Sequence, residues 1–148
     1  MKITLCGSIA LYDKMLTVKE QLVKLGHSVD LPPHEVPTAD GTMIPVKEYY
    51  SIRHRATASD VWVWERKAQA IREHFKKVSA SDAILVINNS KNGVDGYIGA
   101  NTLLEMGLAF YLNKKIFLVN PIPKMQYTEE ILALKPIVLK GDLTLIGS

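Results

Sequence analysis

Residues 83–89 read AILVINN. Five apolar residues in succession, with none of the alternation of a half-exposed strand, are what a strand buried on both faces requires, and Asn88-Asn89 end the run. A strand covered on both sides implies helices above and below a parallel sheet. Working outward, residues 2–6 (KITLC) form a shorter β-rich run that stops at Gly7-Ser8, and residues 115–119 (KIFLV) form another, stopped by Asn120-Pro121. Residues 27–31, cut off by Pro32-Pro33, and residues 137–139 bring the strands to five.

Helical periodicity fills the intervals. Leu11, Met15, Val18, Leu22 and Leu25 recur at helix spacing before Gly26, placed as a C-terminal glycine. Trp64, Ala68, Ile71, Phe75 and Val78 make an apolar stripe, with Glu65, Arg66, Lys67, Arg72 and Lys76 opposite. A turn containing Gly93, Gly96 and Gly99 leads into a helix that runs to about residue 112, and a short helix lies near residues 128–134. Strands alternating with helices, joined by right-handed crossovers, predict a doubly wound α/β fold of the flavodoxin/Rossmann-like type. Its sheet is five-stranded and mostly parallel, in the order 2-1-3-4-5. Residues 32–61, with Pro37, Asp40-Gly41 and Pro45, read as an irregular insertion with a short helix at about 46–54.

Composition narrows the function. At 148 residues and 47% hydrophobic, the chain is long enough for one domain, 1–148, with its own core. A lone cysteine, Cys6, and an N-terminus without a secretory pattern predict a reducing cytoplasm. No apolar run reaches the roughly 20 residues of a membrane span. The net charge of +3 is spread among acids rather than gathered in a stripe, which argues against a nucleic-acid polymer as partner.

In such a sheet, ligands bind beyond the carboxyl ends of the strands where the strand order reverses. Three segments converge there: Gly7-Ser8-Ile9, residues 88–105 and residues 120–123. The string GYIGANTLLEMGLAFYLNKKIFLVN, residues 96–120, resembles the signature of the nucleoside 2-deoxyribosyltransferase-like superfamily: a glycine-rich turn, a helix with a glutamate (Glu105), then Gly107, Ala109 and the basic turn Lys114-Lys115. The opening LCGSI, residues 5–9, is similar to the phosphate-side loop of the 2'-deoxynucleoside 5'-phosphate N-hydrolase branch, and Ser81-Asp82 before the third strand fits the same pattern. The likeness spans both ends of the chain and leaves out residues 32–61.

What the resemblance implies is chemistry at the N-glycosidic bond of a nucleoside or nucleotide. Glu105 would attack the anomeric carbon as the base leaves, and the sugar would pass to another base or to water. Near a helix N-terminus, Glu105 is expected to have a lowered pKa and to stay ionised. From the residues alone, Thr102-Leu103-Leu104-Glu105 also reads as a capping box, in which the carboxylate bonds its own backbone. Gly7-Ser8-Ile9 reads either as a phosphate cradle or as a tight β-α turn.

The chain departs from the family at two places. Ala10, Leu11 and Tyr12 stand where the hydrolase branch carries an arginine and glycines. His74, beside Glu73, stands where both branches carry an aspartate that assists as acid or holds substrate. An imidazole can protonate a leaving base at neutral pH, or it can sit at the core boundary bonded to a carbonyl. Asn88, Asn89 and Asn101 offer amide donors and acceptors to a ribose diol, or satisfy turn backbone. Asp82 reads as a strand-start residue bonding a neighbour. Tyr49, Tyr50, Trp62 and Trp64 supply either a stacking surface for a base or a subunit interface, with Trp64 assigned to the interface.

No metal or organic cofactor is expected, because His27, His34, His54 and His74 are far apart in sequence and Cys6 lies in a strand. A homodimer or higher homo-oligomer is expected. The resemblance implies shared sites, and a helix with Leu103, Met106 and Phe110 on one stripe and Leu104, Leu108 and Tyr111 on another needs cover on both sides. Two function classes stand: an enzyme acting at the N-glycosidic bond, and a nucleotide-binding module that kept the fold without the catalysis.

Overall fold

The structure is a computed structural model and describes residues 1–147. The central sheet consists of β1 (Lys2–Gly7), β2 (Ser28–Asp30), β5 (Ala83–Ile87), β6 (Lys115–Leu118) and β7 (Ile137–Val138), in the order β2-β1-β5-β6-β7 with every pairing parallel. Counting only these five strands, this is the expected 2-1-3-4-5 order. β5 is buried at all five positions, as its unbroken apolar run requires.

Side chains alternate across the pleat, so each strand feeds two cores. Ile3, Leu5, Leu85 and Ile87 point to one face, where Met15, Val18 and Leu22 of α1 (Tyr12–Lys24) cover them. Cys6, Ile84, Val86 and Leu118 point to the other face, against Val78 of α3 (Val61–Ser79), Met106 and Ala109 of α4 (Ala100–Tyr111) and Ile131 of α5 (Thr128–Ala133). Gly26 takes φ +89° just past α1, the left-handed conformation of a helix C-terminal glycine. Asp82 Oδ2 accepts from the Lys2 amide at 2.7 Å, which ties β1 to the start of β5.

Residues 32–61 are more ordered than their proline and glycine content suggests. β3 (Glu35–Pro37) and β4 (Met43–Pro45) form an antiparallel hairpin, with Gly41 at φ +86° in the turn, and α2 (Val46–Arg55) follows directly. Three-residue strands are too short to show a period of two, and so the hairpin left no pattern in the sequence. Val36, Val46 and Tyr49 anchor it to the α1-side core, and Tyr49 donates its hydroxyl to the Val63 carbonyl at 2.7 Å.

The buried face of α3 differs from the expected stripe. Val63, Arg66, His74 and Val78 are buried, whereas Trp64 and Ala68 are exposed. Trp64 is 38% exposed, with its indole N–H donated to the Thr57 carbonyl at 2.8 Å, so it lies off the packed stripe. The helix is turned by about one residue because its long polar side chains face a cleft, and apolarity alone does not mark a cleft-facing position. On α4 the inner stripe is Thr102, Glu105, Met106 and Ala109. Phe110, expected on that stripe, is half exposed. No helix among the described residues is long and apolar enough to cross a membrane.

Candidate active site

The carboxyl end of β1 opens onto a cleft roofed by α2 and walled by α3 and α4. Glu105 forms its floor, and Tyr49, Tyr50 and Val36 of the 32–61 segment close one side. The cleft continues past Gly7, Tyr50, Lys67 and Asn101 to a second end lined by Ser8, Lys91 and Gly99. Gly7 lets the chain turn there: at φ +154° any Cβ would stand 3.0 Å from the Ile87 carbonyl oxygen. Crowding between β1 and β5 thus accounts for this glycine, as in the simple-turn reading. Ser8 caps the single 3₁₀ turn Ile9–Leu11, accepting from the Ala10 amide at 3.3 Å, and also accepts from Lys91 Nζ at 3.0 Å.

Glu105 sits one and a half turns inside α4, 4% exposed. The capping-box reading fails on register, since the cap is Gly99 and Thr102 already lies within the helix. Asn101, one turn earlier, donates Nδ2 to Glu105 Oε1 at 3.0 Å, while Oε2 has no hydrogen-bond partner. Burial pushes the Glu105 carboxyl up to about 7, against the lowering influence of Cys6, Lys67 and Asn101. The expected lowering by the helix dipole is therefore overturned. The dipole acts within the first turn, and a carboxylate deeper in the helix loses more from desolvation than it gains.

His74 reaches the same floor from α3. Its Nε2 lies 3.6 Å from Cys6 Sγ and 3.9 Å from Glu105 Oε1, and its Nδ1 finds no hydrogen-bond partner. Burial, aided by the charge of Lys77, holds its pKa down to about 4. At neutral pH it is thus an uncharged imidazole, not the imidazolium expected to protonate a leaving base. Cys6 lies behind both, fully buried, its thiol pushed up by burial and by the neighbouring Glu105.

The structure brings Gly7, Ser8, Ile9, His74, Gly99, Asn101 and Glu105 around this one cleft. Asn88 and Asn89 lie outside its lining. Asn88, fully buried, is a clamp between loops: Nδ2 donates to the carbonyls of Asn120 at 2.9 Å and Pro121 at 3.2 Å, and Oδ1 accepts from the Asn120 amide at 2.8 Å. Asn89 faces a separate depression bounded by Gly96, Asn120 and Lys124.

Sequence reading passed over three cations. Arg53 of α2, Lys67 of α3 and Lys91 line the end of the cleft near Ser8, together with Gly99, Ala100 and Asn101. Gly99 caps α4 without a side chain, so the free first-turn amides of that helix face the same space. Lys91 Nζ also donates to the Tyr50 hydroxyl at 2.9 Å, and the Arg53 guanidinium lies 5.2 Å from the Tyr50 ring centre. Burial, with Arg53 close by, holds the Lys67 pKa down to about 8. The only local signal for Lys67 was its helical register with His74, seven residues on, which the misphased stripe concealed.

No protein-family model and no curated protein matches the chain. Among solved structures it is similar to a 2-deoxyribosyltransferase from the psychrotolerant bacterium Bacillus psychrosaccharolyticus, at 16% identity and a TM-score of 0.52, over 82% of this chain and 73% of that one. A CMP N-glycosidase from Clostridium botulinum aligns at 12% identity and a TM-score of 0.46, over 93% of this chain and 85% of that one. The parallel order, the helices on both faces and the first of these likenesses agree: the chain shares its fold with that 2-deoxyribosyltransferase, as the glycine-rich turn and the Glu105 helix led us to expect.

Proposed function

We propose that the protein is an enzyme that cleaves or transfers at the N-glycosidic bond of a nucleoside or nucleotide, with Glu105 as nucleophile. The observation that carries this reading is a buried carboxylate on the floor of the cleft, oriented by Asn101 through one oxygen and free at the other. In the ionised form, that free oxygen attacks the anomeric carbon as the bond to the base breaks. The bonding pair leaves with the base, and a glycosyl ester forms on Glu105. Water or a second base then attacks the same carbon and restores the carboxylate.

The aromatic side of the cleft, Tyr49 and Tyr50, suits a nucleobase or sugar face. The cationic end at Arg53, Lys67 and Lys91, with the free amides of α4, suits a 5'-phosphate, and a nucleotide is the favoured substrate. These cations replace the arginine missing from the loop after β1. His74 serves as a positioning residue: neutral, it contacts Glu105 without adding charge beside it. No cofactor takes part in these steps. We place the enzyme in a reducing cytoplasm, where the lone Cys6 stays a thiol.

The test is a panel of ribo- and deoxyribonucleosides and their 5'-monophosphates, each incubated with chelator-treated protein and read by chromatography for released base. Base release, faster for a monophosphate than for its nucleoside, is expected. Binding of panel members without any base release would replace the enzyme with the binding-module reading.

A further inference from the structure

Cys6, His74 and Glu105 come from β1, α3 and α4, yet their sulfur, imidazole nitrogen and carboxylate oxygen all lie within 4.8 Å of one another. All three residues are more than nine-tenths buried, at 0%, 7% and 4% exposure. Zinc bonds thiolate sulfur at about 2.3 Å and imidazole nitrogen and carboxylate oxygen at about 2.0 Å, so the sulfur-to-nitrogen edge of a tetrahedral site is about 3.5 Å and the nitrogen-to-oxygen edge about 3.3 Å. The Cys6 Sγ to His74 Nε2 distance is already 3.6 Å. From His74 Nε2 to Glu105 Oε1 it is 3.9 Å, so the carboxylate has to move toward the imidazole by about half an ångström to ligate the same ion. Independently, Glu105 Oε2 is buried and makes no hydrogen bond of ordinary length, a second acceptor on the same group.

We propose that Cys6 Sγ, His74 Nε2 and the Glu105 carboxylate form a site for a thiophilic divalent cation of the zinc class, and that its occupation silences the cleft by engaging the carboxylate. The silencing clause rests on the function proposed above; the site itself does not. A sulfur and an imidazole in the donor set select zinc, cobalt(II) or cadmium over magnesium or calcium. Charge balances without a further ion: a thiolate and a carboxylate cancel the dication, and the imidazole binds neutral. The thiol proton, and that of Glu105 where it is protonated, passes to solvent on binding. The fourth position falls on the cleft side, because Glu105 and His74 line the cleft and Cys6 lies behind them.

Cobalt(II) titrated into chelator-treated protein tests the site. One cobalt per chain is expected, with a thiolate-to-cobalt charge-transfer band in the near ultraviolet and visible bands of four-coordinate intensity. Cys6 is the only cysteine in the sequence, so no other residue can give the thiolate band. Cys6→Ser should lose that band and bind at least tenfold more weakly, and His74→Ala should weaken binding at least tenfold while keeping the band. X-ray absorption of the zinc-loaded wild type, which needs no variant to fold, should show one sulfur ligand. Absence of the band together with sulfur-free absorption in the wild type overturns the site. Silencing is read separately. Saturating zinc should cut base release by at least tenfold relative to the metal-free protein, and zinc-loaded protein as active as metal-free protein overturns it. Failure of the metal-free protein to release base would count against the function proposed above, while the cobalt spectrum would still decide the site.

Discussion

At the scale of single residues, the role proposed for Glu105 sets two demands against each other: a nucleophile shielded from water must be buried, and burial opposes the charge it would need. Its pKa of about 7 places half-ionisation near neutrality. With Glu105 as nucleophile, kcat/KM of metal-free protein is therefore expected to rise with pH through about 7, and a profile flat across that range would remove Glu105 from the mechanism. The same shift bears on stability. The unfolded carboxyl loses its proton near the ordinary 4.5 and the folded one near 7, so the unfolded chain ionises first. Stability falls as pH rises between those values, and above the upper one the full cost, up to about 3 kcal/mol, is present. Glu105→Gln keeps the shape and removes the charge. It is expected to lower base release about a thousandfold or more. It should also melt at a higher temperature than the wild type at about pH 8, with the difference shrinking as the pH falls toward 5. Normal turnover in this variant, or a lower melting temperature at every pH, would contradict these roles.

At the scale of elements, α3 carries the part of the site that sequence periodicity placed on the wrong face. Lys67, with its pKa held down to about 8, loses its charge on the alkaline side of the pH profile. A monophosphate substrate should then show a bell, rising through about 7 and falling through about 8, whereas the uncharged nucleoside should lack the alkaline fall. Lys67→Met is expected to raise KM for the monophosphate about tenfold and to leave the nucleoside nearly unchanged. Equal effects on both substrates would show that the cationic end does not read phosphate. The turn before α4 is as constrained as the helix it feeds. Gly96 has φ +69°, and a Cβ there would run into the Pro121 carbonyl, on the loop that Asn88 clamps. Gly96→Ala is accordingly expected to cost about 2 kcal/mol or more in urea unfolding. A cost of only about a few tenths of a kcal/mol would mean the loop yields freely.

At the scale of the molecule, α4 leaves more apolar surface uncovered than its sequence stripes implied. Leu104 is 55% exposed, Phe110 50% and Tyr111 80%. A helix with its inner face in the core and a second apolar face in water fits association, and a closed two-fold dimer is the commonest arrangement. Light scattering at micromolar protein should give a homo-oligomer, and Leu104→Glu with Tyr111→Asp should shift it toward monomer. A wild-type monomer of 16.5 kDa with full activity would refute the homo-oligomer.

The sequence by itself determined the sheet and its order. The AILVI run, the β-rich segments that stop at Gly7 and Asn120, and the helical repeats between them are local patterns, and right-handed crossovers leave few ways to join them. It also put Glu105 and Asn101 on one helix, a turn apart, where they meet. Only the tertiary structure decided that Asn88 clamps two loops, that Arg53, Lys67 and Lys91 gather at one end of the cleft, and that Cys6 and His74 stand beside Glu105. Those relations join residues on different elements, and no spacing along the chain encodes them. The charge state of Glu105 belongs with them, because it depends on how completely β1, α3 and α4 together exclude water from one carboxylate.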